Sequence, residues 1–237
     1  MTGTAHPAAA RTATPAARDV FEWDVVTWCR ALEPWEAAVG PSLAGRRGLE
    51  IGARGGGLAL WMAHKGCAEV VCSYYDADMD RARALHRAHG VADRIAYERI
   101  DATDIGCGRR FDVVMMKSVL GGIGAGGRVD RQSEAVRQIH GALRPGGLFL
   151  FAENVAATPL HRWARHLGRG DTWRYPTVEE LAGMLRCFTG LAYMTTGFLA
   201  LFGRTPWQRS LLGRLDAPLC RLLPPDWRYV MAGAARR

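Results

Sequence analysis

The stretch Gly48–Ala63, GLEIGARGGGLALWMA, decides the fold of this chain. Apolar residues run into a glycine loop, and an apolar segment of helical length follows it, which predicts a buried strand, a tight turn and a helix. Such turns usually hold a nucleotide-like ligand at the helix N-terminus. Arg54 stands where a dinucleotide fingerprint has its second glycine, which argues against a pyrophosphate passing close to the backbone there. No Gly-Lys-Ser/Thr follows, which excludes a Walker loop.

Strand-like and helix-like segments alternate from Gly48 to about Asn154. Continuous apolar runs such as FDVVMM and LFLFAEN alternate with amphipathic segments such as MDRARALHRAHG. Strands that are apolar throughout are typical of a parallel sheet with helices on both faces. Two later segments, LAYMTTGFLALFG and WRYVMAGAARR, have the composition of closing strands. The sequence therefore predicts an α/β fold with its ligands at the carboxyl ends of the strands.

The composition of the 237 residues restricts the class of protein. The net charge of +8 is nearly all arginine, and no run of basic residues marks a nucleic-acid patch, so nucleic acid is not the expected partner. The six cysteines form no C-x-x-C pair, which indicates buried thiols in a reducing cytoplasm rather than disulfides or a metal site. The sequence contains no run of 18 consecutive apolar residues, so we do not expect a transmembrane helix.

Three regions are predicted along the chain. Residues 1–18 are small, proline-containing and without the apolar core of a signal peptide, and we expect a disordered tail. Residues 19–46 carry apolar and aromatic side chains at helical spacing and are predicted to form an N-terminal helical cap. Residues 47–237 form the main domain, with helical insertions expected at about 155–190 and 205–224.

Five motifs of the main domain resemble those of a known family. LEIGARGGG, SYYDADM, IDATDI, FDVVMMKSVLGGIG and ALRPGGLFLFAEN have the order and spacing of the class I S-adenosylmethionine-dependent methyltransferases. WDVVTWCRALEPWE and WRYVMAGAAR are further similar to bacterial members from polysaccharide and secondary-metabolite clusters. The resemblance implies a Rossmann-like seven-stranded, mostly parallel sheet with the N-terminal cap as a lid. It also implies S-adenosylmethionine as the cofactor and S-adenosylhomocysteine as its product.

The resemblance assigns the first loop to the methionine part of the cofactor. Gly52 and its neighbours Ala53, Arg54 and Gly56 are expected to pass close beneath it, while Glu50 organises the loop. Arg54 is expected to be a tolerated substitution. The plainer alternative is that these glycines only form a strand-to-helix turn.

The next two strand ends are expected to hold the ribose and the adenine. The family's ribose-binding acid aligns with Tyr74 here, so either Asp76 reaches the ribose from a shifted loop or Tyr74 supplies a single hydrogen bond. The alternative role of Asp76 is a helix N-cap. Asp101 and Ala102 are expected beside the adenine, with a turn as the alternative role of Asp101.

The fourth and fifth strand ends face the transferred methyl group in this family. Lys117 is counted among the expected cofactor-binding residues, although it is electrostatically unfavourable near a sulfonium unless it faces an anionic acceptor or has a lowered pKa. Its alternative role is a solvated strand end. Glu153 is the first candidate for a base or acceptor contact, and His161 in the following loop is the second. A lone histidine is more often a structural residue than a base, so the alternative for His161 is a structural role.

The function predicted from these residues is methyl transfer to a small-molecule acceptor, with a hydroxyl of a natural product or sugar favoured. One alternative is a protein that binds S-adenosylmethionine but catalyses a non-methylating step, for which Tyr74 and Arg54 are the motivating departures. An RNA or DNA methyltransferase is the other. The segment SLLGRLDAPLCRLLPP could line an acceptor pocket, form a homodimer face or touch a membrane surface. Its prolines and short length favour the first two.

Overall fold

The computed structural model describes residues 15–106, 108, 110–169 and 172–237. Within them one sheet is formed by β1 (Arg47–Ile51), β2 (Glu69–Tyr74), β3 (Ile95–Arg99), β4 (Phe111–Lys117), β5 (Leu143–Asn154), β6 (Thr189–Thr196) and β7 (Val230–Arg236). The α-helices are α1 (Ala17–Phe21), α2 (Val25–Trp28), α3 (Leu32–Val39), α4 (Gly57–His64), α5 (Asp80–Ala88), α6 (Leu120–Ile123), α7 (Val129–Ala142), α8 (Pro159–Arg169), α9 (Val178–Met184) and α10 (Pro206–Leu219).

The strand order is β3-β2-β1-β4-β5-β7-β6. Strands β1 to β5 are parallel, and β7 is antiparallel to both β5 and β6. This confirms the predicted seven-stranded, mostly parallel sheet. The strand order reverses between β1 and β4, and a crevice opens at such a switch point, outside the carboxyl ends of the strands.

Helices cover both faces of the sheet, as predicted. Alternate residues of β4 belong to different cores: Val113 and Met115 pack with α1 to α4, whereas Val114 and Met116 pack with α7 and α9. This division follows from the two-residue period of a strand.

The N-terminal cap belongs to the core that contains Val113 and Met115, which we call the first core. Trp28 and Trp35 are buried, and the Trp35 indole N–H donates to the Phe151 carbonyl at 3.1 Å. The segment therefore anchors itself to the central strands and is more than a lid. Helix α1 begins at Ala17, close to the predicted boundary at residue 18, and buries Val20 and Phe21. Residues 1–14 lie outside the described residues.

The two predicted helical insertions contain α8 and α9, and α10. Among the described residues, no helix has the length and apolar composition to cross a membrane. The cytoplasmic location and the homodimer stay predictions.

Candidate active site

A cleft of about 1520 Å³ lies at the carboxyl ends of the parallel strands. A pocket for one small ligand usually measures about 300–1,000 Å³, so this cleft has room for two. Its sheet half is lined by the loops after β1, β2 and β3, including Gly52, Ala53, Arg54, Asp76, Asp101 and Ala102. Its helical half is lined by Asp24, Trp28, Trp163, Arg165, Trp173, Tyr175, Phe202, Arg204, Arg209 and Tyr229. Lys117, the last residue of β4, and Ser118 and Val119 after it also line the cleft.

The loop after β1 is shaped by glycine at two kinds of position. Gly52 has φ +67°, and a Cβ there would lie 2.8 Å from a methyl group of Val119. A Cβ on Gly57 would lie 2.1 Å from the carbonyl oxygen of Val20. Gly52 is therefore required by its backbone conformation and by the close approach of Val119 in the loop after β4. Gly57 is required because α1 passes close to it.

Arg54 points away from the crowded side of this loop. The side chain is exposed, and its guanidinium lies 5.7 Å from the centre of the Trp23 ring. A large cation is tolerated between the glycines because its side chain is exposed, lines the cleft and lies against the Trp23 ring.

Glu50 lies beneath the loop. Its buried carboxylate accepts hydrogen bonds from the backbone N–H groups of Leu58 and Ala59, at 3.4 and 2.9 Å. Burial raises its pKa to about 7. Glu50 thus holds the first turn of α4 and lines a small cavity of about 30 Å³ beside Gly52 and Lys117, not the large cleft.

The structure separates the two candidates for the ribose. Asp76 is exposed and lines the cleft, whereas Tyr74 packs against the first core. Gly56 also lies outside the cleft lining, because its carbonyl is bonded to the His86 ring at 2.8 Å. The arrangement favours Asp76 over Tyr74 and places Gly56 in a structural role.

Asp101 lines the cleft, and both of its carboxylate oxygens accept hydrogen bonds. Oδ1 accepts from the N–H and the hydroxyl of Thr103, both at 2.8 Å, and Oδ2 faces Arg131 at 3.4 Å. Burial acts to raise its pKa, but these hydrogen bonds and the Arg131 charge lower it overall. Asp101 is therefore an ionised acceptor with free lone pairs, as an adenine amino group would need.

Lys117 lies beneath two tryptophans of the N-terminal cap. Its Nζ is 3.1 Å from the centre of the Trp23 ring and 4.9 Å from that of Trp28. Burial lowers its pKa to about 7, although Glu22, Glu50 and Glu153 act in the opposite direction. A neutral amine is therefore readily available at the junction of the two halves.

Glu153 is buried, and its carboxyl group does not line the cleft. It accepts the backbone N–H groups of Val119, at 2.9 and 3.1 Å, and of Leu120, at 3.2 Å. Burial raises its pKa to about 8. Glu153 therefore fixes the turn after β4, where Ser118 has φ +56°, and this geometry does not support a direct role as base.

His161 is placed as a structural residue. It is buried, its Nδ1 is bonded to the Thr158 hydroxyl at 2.7 Å, and its Nε2 is bonded to the Phe198 carbonyl at 2.9 Å. It does not line the cleft. With both ring nitrogens occupied, the geometry gives no support to the predicted role as base.

The helical half contains residues that the sequence analysis did not single out. The Arg165 guanidinium lies 3.9 Å from the centre of the Tyr175 ring and donates to the Val155 carbonyl at 2.8 Å. The Tyr229 hydroxyl donates to Asp24 at 2.5 Å. The sequence predicts a helical insertion around α8, but no local signal shows which of its side chains face a cleft made by distant segments.

Comparison with known proteins agrees with this geometry. Residues 49–149 match the family model of a methyltransferase domain. The chain contains a methyltransferase domain. The match covers the loop after β1, the strand ends of the sheet half and the turn after β4. No curated protein matches the chain by sequence.

Solved structures share the fold of the whole methyltransferase domain. An S-adenosylmethionine-dependent methyltransferase from Mesorhizobium loti is 22% identical with a TM-score of 0.58, over 87% of this chain and 98% of that one. The 1,6-didemethyltoxoflavin-N1-methyltransferase of Burkholderia thailandensis, solved with S-adenosylhomocysteine, is 18% identical with a TM-score of 0.58, over 93% and 81%. The cyclase SpnF is 18% identical with a TM-score of 0.55, over 85% and 78%.

The residues of the sheet half fit S-adenosylmethionine, the cofactor of this class of domain. Gly52 leaves a cradle that a side chain would fill, and Asp76 and Asp101 present carboxylates that suit ribose hydroxyls and an adenine amino group. When bound, the cofactor supplies an activated methyl group. The protein has to align the acceptor with that group and, for a hydroxyl acceptor, remove a proton.

Proposed function

We propose that this methyltransferase domain methylates a hydroxyl group of a small molecule, a natural product or a sugar. The observation that carries the proposal is the continuous cleft of about 1520 Å³. Its sheet half fits the cofactor, and its helical half leaves room for an acceptor. Gly52 and Ala53 would hold the methionine part, Asp76 the ribose, and Asp101 with Ala102 the adenine.

Lys117 is the residue we propose as the proton acceptor. It lines both the large cleft and the small cavity beside Gly52, at the junction where methyl donor and acceptor would meet. Its pKa of about 7 leaves a substantial neutral fraction at neutral pH, and a cationic sulfonium nearby would lower that pKa further. The hydroxyl proton would pass to Nζ while the hydroxyl oxygen bonds to the methyl carbon and the sulfur keeps the electron pair.

The lining of the helical half indicates the chemistry of the acceptor. Trp163, Tyr175 and Phe202 offer aromatic surface, and Arg165, Arg204 and Arg209 offer positive charge, while the N-terminal cap contributes the acids Glu22 and Asp24 to the lining. Aromatic faces and arginines suit a planar molecule that bears a negative charge. A hydroxylated aromatic acid is therefore the first class to test.

The experiment is mass spectrometry of hydroxylated aromatic acids, phenols and sugars incubated with the full chain and methyl-labelled S-adenosylmethionine. We expect one labelled methyl group on oxygen, a rate that rises with pH through about 7, and a loss of at least about 100-fold in Lys117→Met. Lys65→Met is the matched control, since Lys65 is the other lysine of the chain.

Two outcomes would contradict the proposal. Label on nitrogen or carbon, or a Lys117→Met variant as active as the control, removes the hydroxyl-specific mechanism. An acceptor that changes without gaining a methyl group would favour the non-methylating alternative, a candidate to which the likeness to SpnF also points.

A further inference from the structure

Helix α10 exposes apolar side chains to solvent, whereas a surface helix normally buries them. Its inward face includes the half-buried Leu212, but its fully buried positions are small or polar: Gly213 lies against Val26, and Asp216 is only 3% exposed. The Asp216 carboxylate accepts the N–H groups of Phe198, Leu199 and Ala200 at 2.9, 2.7 and 3.1 Å. Its outward face carries, at four-residue spacing, Trp207, Leu211 and Leu215, which are 72%, 45% and 51% exposed. A surface helix normally buries its apolar face, so packing within the chain does not explain this stripe.

Exposed apolar side chains continue after the helix. Leu222 is 85% exposed and Trp227 is 48% exposed. Of the eleven large apolar side chains exposed among the described residues, five lie between positions 207 and 227, a concentration that marks an interaction surface. We call this surface the α10 patch; it comprises Trp207, Leu211, Leu215, Leu222 and Trp227.

The exposed charge around the α10 patch is positive. Between positions 204 and 225, the exposed charged residues are Arg204, Arg214 and Arg221. Asp216 is buried and Arg209 is half-buried, and one exposed acid, Asp226, follows this stretch. A partner of this surface must therefore offer an apolar region bordered by negative charge.

A second copy of the chain does not meet this requirement. In a symmetric dimer the same patch lies on both sides of the interface, so three arginines and one aspartate would face the same set. Most of the guanidinium groups would remain near each other without partners, which is unfavourable.

We propose that the α10 patch docks on the surface of a lipid bilayer that contains anionic phospholipids. The leucines and tryptophans enter the boundary between head groups and acyl chains, where tryptophan is favoured. Arg214 and Arg221 contact lipid phosphates. The helix lies in the plane of the surface, in agreement with its 14 residues, which are too few to span a bilayer.

Docking places the bilayer beside the mouth of the cleft. Asp216 holds residues 198–200, and residues 200–204 together with Arg209 line the helical half. An amphipathic acceptor could then enter the cleft from the lipid surface. This consequence rests on the proposed function, but the docking itself does not.

The test is co-sedimentation of the full chain with vesicles of phosphatidylcholine alone and of phosphatidylcholine mixed with phosphatidylglycerol. We expect binding to the mixed vesicles only, and weaker binding as the salt concentration rises. Leu211→Gln with Leu215→Gln should reduce binding by more than about tenfold, and Arg214→Gln with Arg221→Gln by about tenfold or more. These side chains are exposed, so the variants should keep the fold, which S-adenosylhomocysteine binding checks.

Matched controls are Val129→Gln and Arg87→Gln, exposed residues on α7 and α5, which should bind vesicles like the parent chain. Failure of the parent chain to bind either vesicle would overturn the proposal, as would equal binding by the leucine variants. Sedimentation velocity covers the other occupants: a dimer that the leucine variants dissolve would assign the patch to a second copy. Loss of vesicle binding with retained methyl transfer would leave the proposed function intact.

Discussion

The two halves of the cleft are held in different ways. In the sheet half several bonds are local: Asp101 bonds Thr103 two positions away and Glu50 bonds Ala59 nine positions away, although Asp101 also bonds Arg131 30 positions away. In the helical half they join distant segments: Tyr229 bonds Asp24 across 205 positions, and His161 bonds Phe198 across 37. Strand-end motifs therefore supply much of the cofactor side, whereas the acceptor side depends on tertiary contacts between distant parts of the chain.

Gly52→Val should have the largest effect, because it breaks the sheet half. A β-branched residue at φ +67° is strained, and its Cβ would meet Val119 at 2.8 Å. Strain of about 1–3 kcal/mol together with this clash should weaken S-adenosylhomocysteine binding by at least about 100-fold, measured by isothermal titration. Gly90→Val is the control, since Gly90 has φ +65° with nothing within 4 Å of a Cβ. Equal losses in both variants would mean that general destabilisation, not the cradle, is responsible.

Asp216→Asn should disturb the helical half of the cleft and leave the sheet half unchanged. Asparagine keeps one acceptor oxygen and places an NH₂ group against the backbone N–H groups of residues 198–200, at a cost of about 2–3 kcal/mol. We expect methyl transfer to fall more than about tenfold while the affinity for S-adenosylhomocysteine stays within about twofold. Asp226→Asn, an exposed change in the same region, should alter neither. A parallel loss of cofactor affinity would show that the two halves are not independent.

Much of the sheet half could be predicted from the sequence because its signals are local. The positions of Gly52, Asp76 and Asp101 follow from strand ends, and parallel strands bring their carboxyl ends to one edge. The sequence predicts Glu153 as a base or acceptor contact from its place at the end of β5, but it does not show that the carboxyl group turns inward to Val119 and Leu120. For His161, the sequence likewise does not show the bond to Phe198, because that partner lies in another segment.

The pH dependence of the stability of Glu153→Gln should show whether the buried Glu153 carboxyl group has a structural role. The pKa of Glu153 is raised by burial from 4.5 to about 8, so between these values the folded chain keeps a proton that the unfolded chain has released. The free energy of unfolding therefore falls as pH rises through this window. The variant should lose less stability than the parent chain from pH 5 to 8, by about 1–3 kcal/mol in chemical denaturation.

The control for this series is Glu179→Gln, an exposed change on α9, which should follow the parent chain. A Glu153→Gln variant that is strongly destabilised at pH 6 would instead mean that Glu153 is ionised and that its charge holds the turn after β4.

Arg54→Gly should have the smallest effect. The guanidinium is exposed and its contact with Trp23 is worth about 0.5–1 kcal/mol, so S-adenosylhomocysteine affinity should change by no more than about fivefold. A loss larger than that of Gly52→Val would make Arg54 a direct cofactor contact and would reverse the account of the loop after β1.

Isothermal titration of the full chain with S-adenosylmethionine and S-adenosylhomocysteine tests the central claim most directly. The fit of the sheet half predicts saturable binding of both at one site, with Asp76→Asn weakening both. Millimolar or absent binding of both compounds to the parent chain would contradict it.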